Sequence, residues 1–177
     1  MEMNRDFNPE GLKSLLPIRA WMTLESGKAR RGAEVPETEI SAGGIVYWRE
    51  AGELRVQLIR DRYGRISYAK GKREPGETVE QTALREIREE TGIIGRIDKL
   101  IDIIAYTYRH PFQGAVNKEV HYYLVERQGG ELKPQLEEIR SVAWYSPDEA
   151  WENQLKFGYD NNDFILEKAL TMLGVKL

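Results

Sequence analysis

The 177-residue chain carries 26 basic and 29 acidic side chains, a formal net charge of −3, and 4 Trp, 9 Tyr and 4 Phe, enough aromatic surface for a folded core. That balance argues against a global electrostatic grip on nucleic acid, and the absence of cysteine excludes disulfides, thiolate zinc sites and Cys nucleophiles. The acidic, polar start MEMNRDFNPE is unlike a signal peptide and no apolar run approaches the roughly 18 residues of a membrane span, so a soluble, cytoplasmic protein with no membrane or nucleic-acid partner is expected.

Residues 1–38 read as an N-terminal extension. Asn8-Pro9-Glu10 predicts a short helix through Leu12, Leu15 and Leu16, stopped by Pro17, and the polar stretch after Leu24 predicts a linker. Residues 39–177 read as one domain. Ile40 to Trp48 and Leu54 to Arg60 are β-rich runs joined by a hairpin connection over Arg49 to Glu53. Tyr63-Gly64-Arg65 predicts a turn into Ile66-Ser67-Tyr68, followed by a loop from Lys70 to Gly76. A helix is expected from about Thr78 to Thr91, with Gly92 as its terminator. Strands follow at Leu100 to Tyr108, Lys118 to Val125 and Val142 to Tyr145. Ser146-Pro147-Asp148-Glu149 predicts a helix start, and Phe164 to Leu173 a closing amphipathic helix. This order predicts an α/β or α+β sandwich with a mixed central sheet covered on both faces.

The segment from Gly71 to Ile93, GKREPGETVEQTALREIREETGI, carries the chemistry. At about 100° per residue Ala83, Leu84, Ile87 and Thr91 form a core-facing stripe. Glu86, Glu89 and Glu90 fall on the adjoining arc, with Arg85 four residues before Glu89. Three crowded carboxylates repel one another, and a divalent cation relieves that repulsion. Oxygen-only donors point to Mg²⁺ or Mn²⁺. The preceding loop suits a phosphate, since Gly71 and Gly76 permit close backbone approach and Lys70, Lys72 and Arg73 supply charge. A solvated acidic helix face after a basic turn is the alternative reading of the same spacing.

This segment resembles the Nudix box of hydrolases that act on a nucleoside diphosphate linked to another moiety. Its fixed positions stand here as Gly71, Glu77, Arg85, Glu86, Ile87, Glu89, Glu90, Gly92 and Ile93, without departure. The resemblance implies an α/β/α fold and a pyrophosphohydrolase. It also implies a cation held by Glu86, Glu89, Glu90 and the Gly71 carbonyl, with Glu86 a candidate for activating water. Arg85 would orient a carboxylate with Glu77 as its structural partner, and Lys70 would face phosphate. Ala69 stands where many members have Pro.

Specificity lies outside the box. Arg60 to Gly64 and Lys118 to Leu124 resemble the diadenosine polyphosphate hydrolase branch, which predicts a nucleotide substrate such as a dinucleoside polyphosphate or a nucleoside triphosphate. Diphosphoinositol polyphosphate hydrolysis and a non-catalytic nucleotide-binding module are the alternatives. Alternation places Lys118 and Val120 on one strand face and Glu119, His121 and Tyr123 on the other. Glu119 is a candidate late metal ligand or general base, or else a salt-bridged strand residue. Tyr106 and Tyr108 share a face that could stack on a base or simply pack, and Arg109 with His110 could add phosphate contacts. The N-terminal extension could dock on the domain or mediate a homodimer.

Overall fold

The computed structural model describes residues 38–110, 112 and 114–176. The expected Leu12–Leu16 helix and the linker after Leu24 lie outside the described residues. β1 (Thr38–Glu50) organises the sheet. It runs parallel to β6 (Gly114–Gly130) from Thr38↔Asn117 to Tyr47↔Glu126. Its other edge is divided between two antiparallel partners. The Ser41–Gly43 portion pairs with β4 (Lys70–Lys72), and the Tyr47–Glu50 portion pairs with β2 (Glu53–Asp61). β2 therefore diverges from β1, and the wedge between them is filled by β3 (Ile66–Ser67) and the buried pair Tyr68 and Ala69. β7 (Ile139–Tyr145) lines the outer edge of β2, and β5 (Ile93–His110) lies outside β6. The sheet is thus mixed, as expected.

The hairpin between β1 and β2 is tighter than the sequence suggests. Ala51 and Gly52 form the whole turn, both at positive φ, the two-residue geometry whose twist matches the flanking strands.

Strand alternation gives each face its own core. Ile45, Leu58, Val120, Tyr122 and Leu124 pack against Ile165, Leu166, Ala169 and Leu170 of α3 (Asp163–Met172) and Ala150 of α2 (Pro147–Phe157). Ala42, Val46, Tyr123 and Val125 pack against Ala83 and Ile87 of α1 (Val79–Thr91) on the other face. Helices on both faces make the α/β/α sandwich. α2 starts where the sequence places it, with the Ser146 hydroxyl capping the Glu149 amide and the Glu149 carboxylate returning to the Ser146 amide.

β5 is the main correction. It spans 18 residues from Ile93, not nine from Leu100. Its ladder with β6 shifts register at Ile94/Gly95, Ile97/Lys99 and Leu100/Asp102. The shifts at Ile97/Lys99 and Leu100/Asp102 each insert an extra β5 residue and flip its inward-facing phase, so the alternation that starts at Ile93 breaks in mid-strand. β6 likewise extends beyond Lys118–Val125 at both ends. None of the described helices is long and apolar enough to cross a membrane.

Candidate active site

Helix α1 and the β4 strand before it build the site. Thr78 caps the helix with its hydroxyl on the Gln81 amide, and Gln81 returns the contact. Gly92 ends it at φ 79°, its amide donating to the Arg88 carbonyl at 2.9 Å. The buried face comprises Thr82, Ala83, Ile87, Glu90 and Thr91. Leu84, expected in the core stripe, is only partly buried, while Glu90, expected on a polar arc, is 4% exposed. The β6–β7 connection contributes to the burial of Glu90. It folds over the helix C-terminus, the Lys133 amide donating to Thr91 O at 2.8 Å and the Gln135 amide to Glu90 O at 3.1 Å.

Gly71 is a matter of space. A Cβ at this position would lie 2.1–2.2 Å from the carboxylate atoms of Glu86, so the Glu86 head group rests directly on the Gly71 backbone. Arg85 ties the arc together. Its Nε and Nη2 donate to Glu77 at 2.7 and 3.0 Å, Nη1 to Glu86 Oε1 at 2.7 Å and to Glu89 Oε2 at 3.0 Å, and Nη2 to the Lys72 carbonyl at 3.0 Å. Only a planar guanidinium can serve all four partners. The Arg85 contact holds the Glu77 carboxyl down at about 2, and Glu77 in turn raises the Arg85 pKa.

The deeper carboxylates are shifted the other way. Burial raises Glu86, against the pull of Arg85 and with the help of Glu89 and Glu138. Burial pushes Glu90 to about 8, opposed by Lys70 and reinforced by Glu86 and Glu138. Lys70 is itself lowered by burial, with Glu90 acting to raise it. Glu90 Oε2 is buried and has no hydrogen-bond partner. An orphaned carboxylate oxygen inside a protein costs free energy unless a cation reaches it.

These donors fit a hard divalent cation: all are oxygens, and the unpartnered one is on Glu90. As the side chains stand, no three His, Cys, Asp or Glu groups among the described residues are gathered closely enough to hold one. Arg85 Nη1 engages Glu86 and Glu89 at once.

The remaining expected site residues divide. Lys118 and Lys72 converge on Glu39, Lys118 at 2.8 Å from Oε1 and Lys72 on Oε2. Tyr106 pairs across the ladder with Lys118, and its ring is 6.4 Å from that of Tyr108. Burial and Glu39 push the Tyr106 hydroxyl up to about 12. Arg73 is exposed, its amide donating to Ile40 O at 2.9 Å. Arg109 is exposed within β5 and by alternation lies on the face opposite Tyr106 and Tyr108. Glu119 pairs with the His121 ring, while Glu80 accepts from the Tyr123 hydroxyl at 3.2 Å.

Sequence reasoning misses Glu138 and Glu39. Glu138 sits in an irregular segment without periodicity, yet its charge acts on both Glu86 and Glu90. Glu39 adjoins the boundary between extension and domain, and nothing in its local sequence marks it as the partner of two lysines.

The NUDIX domain family model matches residues 38–167. A Mycobacterium tuberculosis protein provisionally assigned as mutator protein MutT4 is 38% identical over 152 residues, covering 81% of this chain and 60% of that protein. The 8-oxo-(d)GTP phosphatase of Mycolicibacterium smegmatis is 34% identical over 132 residues, 68% of this chain and 39% of the relative. The chain thus spans less than two thirds of either relative's length. In fold it is similar to the C. elegans Ap4A hydrolase binary complex, with a TM-score of 0.58, 23% identity and coverage of 77% of this chain and 98% of that one. By its family match over most of its length, the chain belongs to the NUDIX domain family.

Proposed function

We propose that this chain is a divalent-metal-dependent pyrophosphohydrolase that cleaves a phosphoanhydride in a nucleoside polyphosphate. The buried, unpartnered Glu90 oxygen beside Lys70 carries this reading, since it asks for a hard cation where a basic group also waits. Glu86, Glu89, Glu90 and the Gly71 carbonyl would hold Mg²⁺ or Mn²⁺. When bound, such an ion neutralises phosphate charge and lowers the pKa of a coordinated water. Arg85 fixes Glu86 and Glu89, and Glu77 fixes Arg85. Glu86, with its raised pKa, is the candidate to receive a proton from the attacking water, and Glu138 is a further candidate at the same place. Lys70, Lys72 and Lys118 would meet the phosphates, and Tyr106 with Tyr108 would stack on the base.

The relatives named for mutator and 8-oxo-(d)GTP phosphatase activity support a nucleoside triphosphate substrate, and the likeness around Arg60–Gly64 supports a dinucleoside polyphosphate. A panel of both, with a diphosphoinositol polyphosphate as comparison, tests the reading in Mg²⁺ and ¹⁸O-labelled water. Expected is ¹⁸O in one phosphorylated product, with turnover lowered by orders of magnitude in Glu90→Gln. Wild-type turnover in Glu90→Gln, or nucleotide binding without hydrolysis across the panel, overturns it.

A further inference from the structure

The turn between β2 and β3 is held more firmly than a surface connection requires. Asp61 Oδ1 accepts the amides of Tyr63 and Arg65, both at 2.9 Å, and Asp61 Oδ2 accepts the Tyr159 hydroxyl at 2.6 Å. The Asp61 amide donates to Arg65 O and the Gly64 amide to Asp61 O, each at 2.9 Å, while Arg60 reaches the Gly64 carbonyl at 3.0 Å. At the tip of this fixed frame Tyr63 is 69% exposed, with the Arg62 guanidinium 5.4 Å from its ring centre. An aromatic face and a cation, both exposed and both held by a rigid base, form a stacking platform for a base next to a phosphate.

Its position gives the platform a ligand. The Arg62 amide donates to the Glu138 carbonyl at 3.1 Å, and Glu138 is the carboxylate whose charge acts on Glu86 and Glu90. Asp61 acts likewise on Lys70. Strand order places the parts in one row at one end of the sheet: Tyr106 on β5, Lys118 on β6, Glu39 on β1, Lys70 to Lys72 on β4, then the β2–β3 turn. The β2–β3 turn and Tyr106 thus stand at opposite ends of this row, Tyr106 on the sheet face that packs against α2 and α3, with β4, on whose Gly71 the Glu86 carboxylate rests, between them.

We propose that Tyr63 and Arg62 form a second nucleoside subsite, so that a dinucleoside polyphosphate is bound by both ends, one base at Tyr106 and Tyr108 and the other at Tyr63. This rests on the pyrophosphohydrolase reading above. A substrate with one base fills only one platform, and the second stacking contact gives the two-base substrate its advantage.

The test compares KM for a dinucleoside tetraphosphate and a nucleoside tetraphosphate of the same base, in the full chain with Mg²⁺. The wild type is expected to show a lower KM for the dinucleoside. Tyr63→Ala should shrink that ratio about tenfold, the scale of one lost base–aromatic stack. Tyr63→Phe and Tyr63→Trp should keep it, which a hydrogen-bonding or merely structural role of the hydroxyl would not allow. A wild type with equal KM values, or a Tyr63→Ala ratio equal to wild type, overturns the subsite. A wild type that hydrolyses neither compound overturns the parent reading instead.

Discussion

On the proposed reading, Glu90 makes metal binding and pH act on stability through one side chain. Its folded pKa of about 8 stands above the ordinary 4.5, so the native state binds the proton more tightly than the unfolded chain does. The metal-free protein therefore has its full Glu90 contribution at low pH and loses it as pH rises from about 4.5 through about 8. At about 1.36 kcal/mol per unit, that gap is on the order of 5 kcal/mol, an upper figure because Lys70 can relax toward the ionised group. For a domain of this size it corresponds to roughly 10 °C or more in melting temperature. Glu90→Gln keeps the shape without the proton, so its metal-free melting temperature should fall less across this window and exceed wild type at pH 8.5. Millimolar Mg²⁺ should restore the wild type at high pH and leave the variant nearly unchanged. Calorimetric or fluorescence melts of both proteins from pH 5 to 9, with EDTA or Mg²⁺, decide the matter. Parallel curves in EDTA, or equal stabilisation of both by Mg²⁺, would refute the reasoning.

Other expectations follow from single contacts. Gly71→Ala should lower turnover about 100-fold with little change in melting temperature, because a Cβ there must displace the Glu86 carboxylate; steady-state kinetics beside a melt separates the two effects. Arg85→Lys should destabilise by about 2 kcal/mol and reduce turnover, since one ammonium cannot span Glu77, Glu86, Glu89 and the Lys72 carbonyl; urea unfolding measures the first effect. Leu166→Ala should cost about 2–5 kcal/mol in the same assay while leaving Mg²⁺ affinity intact, as it empties the core on the face away from α1.

The identity of the helix and its carboxylates was legible because their spacing is local. Thr78, Gln81 and Gly92 act through neighbours three or four residues away, and the box positions fix which side chains can meet on one arc. The same holds for the Ser146 cap of α2, whose signal lies within a turn of the chain. Periodicity failed where distant segments intervene. It could not report that residues 131–138 would cover Glu90, because burial there depends on a connection some 40 positions later in the chain. Nor could it foresee that Glu39 would join Lys72 to Lys118, or that three register shifts would carry β5 to 18 residues.

The linear order of residues thus determined which groups stand together: carboxylate oxygens, a guanidinium clamp and a glycine. Tertiary structure alone decided which carboxylate is stripped of water and left with an unpaired oxygen. Desolvation is a property of everything packed around a group, and no short stretch of sequence contains that information.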